Sequence, residues 1–352
     1  MGYDIGPLRE DEVEALSRFL IKGFGVAPEA LFAAPDVLRW KFVTPRGAAD
    51  EVLPRALVAR DAAGGIVGHV GWVGTRFCSG TPAASVVAGI HMIDWLGSPE
   101  HKGVGGALLR RVNALAPVQY GFGGTSAGRA VVKGAGFVPR PPVPVFQCVL
   151  RPGYAFRADV GVPYWKRAGR ALRDSGLIFA RRVEGGPGTA SFGLKRVERF
   201  DGELETLQMA DLAGQVASRK GCADWNALLA FPRGGISGWV IERRGATVGF
   251  ALLSVVSNPR TRVGKVVDLV MSKGDECDRG VAYALLRGEL ERQGADLALV
   301  CGATEVERAG LRAAGFRRAF ELELSVRDRA GLLPPEVPIH VSFLDADYAF
   351  LP

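Results

Sequence analysis

Apolar runs alternate with amphipathic segments along the first half of the chain. Residues 85–95 form an apolar run of strand length, followed by turn residues at Gly97, Ser98 and Pro99, and this predicts a strand. At residues 103–116 apolar side chains recur at helical spacing while Arg110 and Arg111 fall on the polar side, which predicts a helix. The same criteria predict strands at 3–7, 55–60, 66–77 and 118–122 and helices at 10–23 and 28–42. This order indicates an α/β (α+β) protein with mostly antiparallel strands.

A glycine turn opens the helix predicted at residues 103–116. Gly103 and Gly105 follow a strand and precede a helix, so backbone N–H groups at a helix N-terminus are available to a phosphate. Glycine permits unusual backbone angles here and lets an anion approach the main chain closely. The spacing fits neither the dinucleotide-binding fingerprint nor the P-loop. The loop therefore predicts a phosphate site of another kind.

The chain contains an internal repeat. Residues 123–137 match residues 302–316 without a gap, at a constant separation of 179 positions. Gly103-Val followed by Ala107-Leu-Leu-Arg likewise matches Gly280-Val followed by Ala284-Leu-Leu-Arg. A repeat of this size indicates two copies of one structural unit. We expect domains at 1–150 and 193–330, a linker with a basic helical insert at 151–192, and an extended tail at 331–352.

Two segments of the first copy resemble the GNAT superfamily of N-acyltransferases. Gly103 and Gly105 match the glycines of that family's Arg/Gln-x-x-Gly-x-Gly/Ala loop, which holds the pyrophosphate of acyl-CoA, and Gly136-Phe137 match the pair that ends a later helix. The resemblance implies two tandem GNAT-like domains, each a mixed, mostly antiparallel central sheet flanked by helices. It implies acetyl-CoA or another acyl-CoA as the acyl donor. The residues it assigns to this cofactor are Ile93, Trp95, Lys102, Gly103, Val104, Gly105, Gly106, Ala107, Thr125, Ser126 and Arg129.

The first copy departs from the family pattern at three positions. Glu100 stands where the family usually has Arg or Gln, and its carboxylate would repel a phosphate. Val132 stands where many members carry the tyrosine that protonates the leaving thiolate, and Thr125 replaces a frequent Asn. The resemblance therefore supports the fold and CoA binding better than it supports any particular acid.

The second copy has diverged in its phosphate loop. Ala282 and Tyr283 replace Gly105 and Gly106, and the segment before them, residues 272–279, is acidic. A Cβ and a phenol would crowd the phosphate, and the acidic side chains would oppose its charge. We therefore expect one acyl-CoA site, in the first half, and a degenerate GNAT domain in the second.

Candidate catalytic residues lie on the strand before the glycine loop. In the family the oxyanion donor is a backbone N–H of this strand, here at residues 93–95, and the strand diverges from its neighbour, here residues 118–122, so that pantetheine lies between them. Strand alternation places His91 and Asp94 on opposite faces, so only one of these two candidate bases can point at the substrate. Tyr120 is the candidate acid for the thiolate. Further candidates in the tail are His340, Asp345 and Asp347.

Composition argues against several other classes of protein. Five scattered cysteines without Cys-x-x-Cys spacing argue against a disulfide framework and a zinc site, so we expect buried free thiols and no metal. The net charge of +7 is spread along the chain, which argues against nucleic-acid binding. No apolar run reaches the length of a membrane span, and the N-terminus does not resemble a signal peptide, so we expect a cytoplasmic protein.

The resemblance implies transfer of an acyl group, acetyl or somewhat longer, to a primary amine of a small molecule by direct attack on the thioester. The Trp40-Lys41-Phe42 segment and the extended tail are similar to features of bacterial amino-sugar and sugar-nucleotide N-acyltransferases, so an amine of that kind is the expected acceptor. Two alternatives stay open. One is a non-catalytic tandem GNAT-fold sensor or scaffold that binds CoA. The other acylates a peptide or lipid precursor, with residues 166–182 as a dock on a membrane or carrier protein.

Overall fold

The structure is a computed structural model of the 352-residue chain. The residues it describes are 2–45, 53–78, 86–124, 126–158, 161–184, 191–211, 215–272, 276–334, 336–345 and 347–351.

The first half alternates strands and helices in the predicted order. Its strands are β1 (Asp4–Pro7), β2 (Ala56–Arg60), β3 (Ile66–Cys78), β4 (Val87–Gly97), β5 (Val118–Phe122) and β6 (Val138–Val149). Its helices are α1 (Val13–Phe24), α2 (Pro35–Leu38), a π-helical turn at Arg39–Val43, α3 (Val104–Val112) and α4 (Ser126–Gly134). Two further helices, α5 (Tyr154–Ala158) and α6 (Tyr164–Glu184), follow before the second half begins.

The second half repeats this order. Its strands are β7 (Phe192–Val197), β8 (Val216–Arg219), β9 (Ile236–Arg243), β10 (Ala246–Ser257), β11 (Arg262–Met271), β12 (Leu297–Cys301), β13 (Arg317–Asp328) and β14 (Ile339–His340). Its helices are α7 (Glu203–Asp211), α8 (Cys222–Leu229), α9 (Glu276–Arg292) and α10 (Glu305–Ala313), and two 3-10 turns follow at Phe343–Asp345 and Asp347–Ala349. The tail after β13 is thus partly turn and partly strand rather than simply extended.

The two halves share one sheet and exchange the strands β6 and β13. The strand order is β1-β2-β3-β4-β5-β13-β6-β12-β11-β10-β9-β7. Strand β13 pairs antiparallel with β5, and β6 pairs antiparallel with β12, so each of these two strands extends the part of the sheet formed by the other half of the chain. The pairs β4–β5 and β11–β12 are parallel, and the neighbouring pairs β3–β4 and β10–β11 are antiparallel. The mixed sheet flanked by helices confirms the predicted fold class.

Helix α3 shows how the sequence pattern forms an element beside the site. Val104, Leu108 and Val112 are buried on one face, while Arg110 and Arg111 are exposed. Gly103 caps the helix in a left-handed conformation with φ of 84°, a region that favours glycine. The helix ends at Val112, earlier than the predicted residue 116, and Asn113 is its C-cap.

The structure also bears on two expectations from composition, the burial of the cysteines and the lack of a membrane-spanning segment. Cys78, Cys148 and Cys301 are buried as expected, but Cys222 is half-buried and Cys277 is exposed. Among the helices that the structure describes, none combines the length and the apolar character needed to cross a membrane.

Candidate active site

Strands β4 and β5 separate halfway along their length, as predicted. They pair in parallel at Gly89–Val118, Ile90–Gln119 and His91–Tyr120, and beyond these residues the two strands have no pairing with each other among the described residues. A cavity of about 700 Å³ occupies the gap. Its walls are mostly apolar and come from β4, β5, α4, the first residues of β6, β13 and the tail.

A bulge at Asp94 breaks the alternation of side chains along β4. Gly71 of β3 pairs with Ile93 while His69 pairs with Leu96, so β4 carries one extra residue here. Asp94 adopts φ of 50°, and the Nδ1–H of His69 donates to its carbonyl oxygen at 2.7 Å. Both His91 and Asp94 therefore line the cavity, and the expectation that only one of them could face the substrate was wrong.

A buried lysine joins Asp94 to the tail. The Nζ of Lys41 donates to Asp94 Oδ2 and, at 2.5 Å, to Asp347 Oδ2. The Lys41 side chain is fully buried, whereas about a tenth of each carboxylate side chain is exposed. Asp94 and Asp347 line the cavity and Lys41 lies behind them. We call Lys41, Asp94 and Asp347 the carboxylate–lysine cluster.

Burial dominates the electrostatics of this cluster. It raises the pKa of Asp94 to about 6, aided by the charge of Asp347 and opposed by Lys41. Burial also disfavours the charged form of Lys41, but the two carboxylates outweigh it and raise the pKa of the ammonium. With both carboxylates ionised, the cluster carries one net negative charge.

Surrounding groups hold Lys41 in place. The π-helical turn at Arg39–Val43 presents it, and the buried guanidinium of Arg55 donates to the Lys41 carbonyl oxygen at 2.9 Å. The indole of Trp40 donates to the carbonyl of Ala227 at 3.1 Å and packs edge-on against Phe350. Residues from both halves and the tail therefore fix the ammonium position.

His91 is a second basic group at the cavity. Its Nδ1 lies 3.1 Å from the carbonyl oxygen of Tyr120. Because a carbonyl oxygen only accepts, Nδ1 carries the proton and Nε2 of the neutral ring is an acceptor. Burial lowers the pKa of His91 below its usual value, so the ring is neutral at neutral pH.

The structure places Tyr120 away from the cavity. Its hydroxyl donates to the carbonyl oxygen of Asp345 at 3.1 Å, its ring stacks on His91, and only 1% of it is exposed. Burial raises the pKa of its phenol well above the usual value. This placement favours a core aromatic over the predicted thiolate acid.

Another tyrosine does line the cavity, and the sequence pattern did not indicate it. The Tyr348 side chain packs so closely on Gly123 that a Cβ there would lie 2.2 Å from its hydroxyl. Val132, the position at which the resemblance described above would place a tyrosine, lines the same cavity from α4. A tail residue thus brings a phenol to the cavity, where α4 supplies valine at position 132.

The glycine loop adjoins the cavity through Trp95. The indole of Trp95 lines the cavity and donates to the carbonyl oxygen of Gly105 at 3.2 Å. A Cβ at Gly105 would come no closer than 3.6 Å to Trp95, and one at Gly106 no closer than 3.7 Å to Arg110. Packing therefore does not require glycine at these two positions, and both residues are partly exposed.

The other predicted cofactor residues are distributed around this loop. Lys102 is exposed, Val104 is buried in the core and Ala107 is partly exposed, while Ile93 lines the cavity. Ser126 and Arg129 belong to α4, whose first residue is Ser126. Thr125 and the side chains of Ser126 and Arg129 lie outside the described residues.

The equivalent cleft in the second half contains an equivalent aspartate. Gly89 pairs with Val118 and Val263 pairs with Leu297; positions 118 and 297 correspond in the repeat. Five residues further along β11, Asp268 therefore corresponds to Asp94. Burial raises the pKa of Asp268 to about 7.

The tail fills that second cleft. The Nε2 of His340 lies 2.9 Å from Glu307 Oε1, and Asp345 Oδ1 lies 3.3 Å from the Nζ of Lys220. Burial opposes the charge of His340, but Glu307 raises its pKa to about 9. Only about 10 Å³ of open volume remains where His340, Asp345 and Lys220 adjoin Asp268. Of the tail candidates, Asp347 therefore lies at the open cavity, whereas His340 and Asp345 lie in the filled cleft.

The phosphate loop of the second half is replaced by helix. Helix α9 begins at Glu276, so Gly280, Ala282 and Tyr283 lie past its first turn, where backbone N–H groups are bonded within the helix. Tyr283 is buried, and Arg279 in the first turn pairs with Asp211. The expected loss of a phosphate cradle in this half agrees with this geometry.

No model of a protein family matches the sequence, and no curated protein matches it. Several solved structures match the fold. A GCN5-related N-acetyltransferase from Anabaena variabilis has a TM-score of 0.60 at 10% identity, over 93% of this chain and 73% of that one. N-myristoyltransferase of Saccharomyces cerevisiae with bound myristoyl-CoA has a TM-score of 0.61 at 10% identity, over 93% and 82%. A putative acetyltransferase from Pyrococcus horikoshii has 0.56 at 12% identity, over 100% and 95%. The chain therefore has the fold of the GCN5-related N-acetyltransferases.

Proposed function

We propose that this protein is an acyl-CoA-dependent N-acyltransferase that acylates a primary amine of a small molecule. The observation that carries the proposal is the cavity between the diverging strands β4 and β5, with the carboxylate–lysine cluster at its wall and a ligand-accessible glycine loop beside it. Bound acyl-CoA would supply an activated acyl group in this cleft. Gly103, Gly105 and Gly106 would hold its pyrophosphate, and β4 and β5 would flank its pantetheine arm.

The cluster suits a cationic acceptor. An alkyl amine with a pKa near that of lysine is an ammonium ion at neutral pH and is not nucleophilic until it loses a proton. The single net negative charge shared by Asp94 and Asp347 favours binding of that ammonium at the apolar wall. Lys41 lies between the two largely buried carboxylates and offsets their mutual repulsion.

Asp94 is the proposed general base. It lines the cavity, and its pKa of about 6 makes it a stronger base than an exposed aspartate while leaving it ionised at neutral pH. His91 lies three residues away on the same strand with Nε2 as an acceptor, and it remains the second candidate. Backbone N–H groups of β4 beyond His91 have no partner on β5 and are available to the developing oxyanion.

Tyr348 is the proposed proton donor to the leaving thiolate. It reaches the cavity wall at Gly123, where β5 ends, opposite the β4 segment that carries Asp94. Phenylalanine at this position removes only the hydroxyl. Tyr348→Phe should lower kcat by about tenfold or more, because general-acid catalysis is worth that much or more.

The acceptor class rests on the sequence resemblance to amino-sugar and sugar-nucleotide N-acyltransferases. Besides the cluster, the cavity has polar side chains on the neighbouring strands β6 and β13, namely Arg140, Glu323 and Ser325. This mixture suits an acceptor with hydroxyl groups, such as a sugar. It also leaves room for an acyl chain longer than acetyl.

The test is free-thiol release from acyl-CoAs of increasing chain length with a panel of amines that includes amino sugars, sugar nucleotides, polyamines and peptides. The proposal predicts thiol release that depends on one class of small amine. CoA binding without turnover for any amine would instead identify a sensor, and turnover with peptides alone would replace the acceptor class.

A further inference from the structure

Lys265 is a buried lysine on β11 that contacts the tail. It is 2% exposed, and its Nζ donates to the carbonyl oxygen of Tyr348 at 2.7 Å and to that of Leu351. The same Nζ lies 5.8 Å from the centre of the Phe343 ring. Tyr348 and Leu351 line the cavity of the first half, and Lys265 is not among its described lining residues. Lys265 therefore connects the second half to the cavity through the tail.

The repeat places Lys265 where the first half has His91. His91 pairs with Tyr120 across β4 and β5, and Lys265 pairs with Leu299 across β11 and β12. Positions 120 and 299 are 179 apart, which is the separation of the internal repeat. In the first half this place faces the open cavity, whereas in the second half it carries the contact with the tail. The second half thus presents an ammonium to the tail at this place.

The charge of Lys265 ties the tail to β11. The carbonyl oxygens of Tyr348 and Leu351 accept from its ammonium, and no carboxylate among the described residues pairs with it. Burial lowers the pKa of Lys265 to about 8, so the ammonium is the main form at neutral pH. A buried ammonium that loses its acceptors is costly. The tail therefore cannot move away from β11 without leaving that charge unpaired.

The tail forms a closed turn between two lysines. The N–H groups of Phe350 and Leu351 both donate to the carbonyl oxygen of Asp347 at 3.2 Å. The Asp347 carboxylate accepts from Lys41 of the first half, and the last carbonyls of the turn accept from Lys265 of the second half. Lysine side chains commonly bind the last carbonyls of a helical turn in this way. One ammonium from each half therefore fixes the turn.

We propose that Lys265 is a positioning residue for the acyl-transfer reaction. It holds the turn at residues 347–351 so that the Asp347 carboxylate and the Tyr348 hydroxyl stay at the cavity wall. This inference rests on the proposed function, in which Asp347 adjoins the general base and Tyr348 protonates the thiolate. Lys265 itself takes no part in the chemistry and acts through the main chain of the tail.

The first test is hydrogen exchange of the tail in Lys265→Met. Methionine has a similar length but no donor, so the two carbonyl oxygens lose their partner. The amides of Phe350 and Leu351 should exchange at least about tenfold faster than in the parent chain, as measured by mass spectrometry of the C-terminal peptide. Lys265→Gln, which keeps N–H donors on a shorter side chain, should show an intermediate rate. It also serves as the test variant if Lys265→Met does not fold.

The second test is the pKa of Asp94, measured by NMR titration of the carboxyl carbons and assigned with Asp94→Asn. Lys41 and Asp347 are the charged groups that face Asp94, and the charge of Asp347 raises its pKa. A tail released by Lys265→Met carries Asp347 away, so the pKa of Asp94 should fall by about one pH unit. Asp347→Asn should cause the same fall, and combining it with Lys265→Met should add nothing. In thiol release, kcat of Lys265→Met should fall by about tenfold, because Tyr348 is displaced.

Two controls separate positioning from a general loss of stability. Lys195→Met changes an exposed lysine on β7, and Leu286→Ala opens a cavity in the core of the second half. Neither should change the pKa of Asp94 or speed exchange at Phe350 and Leu351.

Three results would each overturn the proposal. They are unchanged tail exchange in the Lys265 variants, an unchanged pKa of Asp94 in Lys265→Met, and effects of the same size in Leu286→Ala. The exchange and NMR measurements are made without acyl-CoA, so they decide the role of Lys265 separately. Absence of thiol release by the parent chain would instead contradict the proposed function.

Discussion

Asp347 accepts a hydrogen bond from Lys41 at 2.5 Å although 306 positions separate them in the sequence. The same ammonium binds Asp94 on β4, so three distant segments meet at one buried charge. The tail reaches this point after filling the cleft of the second half with His340 and Asp345. The tail therefore fills the cleft of the second half and completes the cavity of the first half.

Replacing Asp94 tests the proposed base. Asp94→Asn keeps the size of the side chain but removes its basicity, so kcat/KM should fall by about a hundredfold or more. In the parent chain kcat/KM should rise with pH until about 6, the pKa of Asp94, because the base must be ionised. Thiol-release rates across pH measure both effects. The exposed Asp4→Asn should behave as the parent chain does, and an unaltered rate in Asp94→Asn would transfer the role of base to His91.

Removing the ammonium tests the cluster as a structural unit. Lys41→Met leaves two buried carboxylates without their shared cation, which should lower the free energy of unfolding by about 3–5 kcal/mol. Urea unfolding measures this change. Adding Asp94→Asn and Asp347→Asn to Lys41→Met should recover much of the stability, because the uncompensated charge is then gone. If the triple variant is no more stable than Lys41→Met, lost packing rather than charge explains the effect.

The His340–Glu307 pair predicts how stability depends on pH. The pKa of His340 is about 9 in the folded chain, above its ordinary value of 6.5. Its stabilising contribution is therefore complete below pH 6.5 and is lost as pH rises through 9, by about 3 kcal/mol in all. The difference in unfolding free energy between the parent chain and His340→Gln should shrink over that interval. His101→Gln serves as the control, and a difference that stays constant from pH 6 to pH 10, roughly the interval bracketing both pKa values, would contradict the assignment.

The difference between the two halves at the glycine loop suggests a substitution that tests CoA binding. Gly105→Ala/Gly106→Tyr gives the first half the residues of the second. The structure has room for a Cβ at both positions, so the fold should be retained while acyl-CoA loses access to the main chain. Calorimetric titration with CoA should show at least about a tenfold loss of affinity. Gly288→Ala, at an open position on α9, should bind CoA normally.

Local patterns in the sequence predicted most of the first half and the divergence of β4 from β5. Asp94 and Asp347 are candidates from the sequence, but the role of Lys41 and its contacts with both carboxylates are not, because they join remote segments of the chain. Lys41 is a cation between two aromatic residues, Trp40 and Phe42, and this was the one local signal of a buried charge. The facing of Asp94 was mispredicted because alternation along a strand does not anticipate a bulge. Tyr348 could not be inferred, since no local pattern tells where a tail packs.

The sequence also does not predict the strand exchange between the two halves. The repeat places β6 and β13 at corresponding positions, but it does not say with which copy each strand pairs. Strand β13 pairs with β5 and strand β6 with β12, contacts between remote segments that local patterns do not specify.

The most direct test of the central claim, a single acyl-CoA site in the first half, is the crystal structure of the chain soaked with acetyl-CoA. The account predicts one ligand per chain, with its pyrophosphate at Gly103–Gly106 and its thioester between β4 and β5 near Asp94. Ligand density between β11 and β12, or at both clefts, would contradict it.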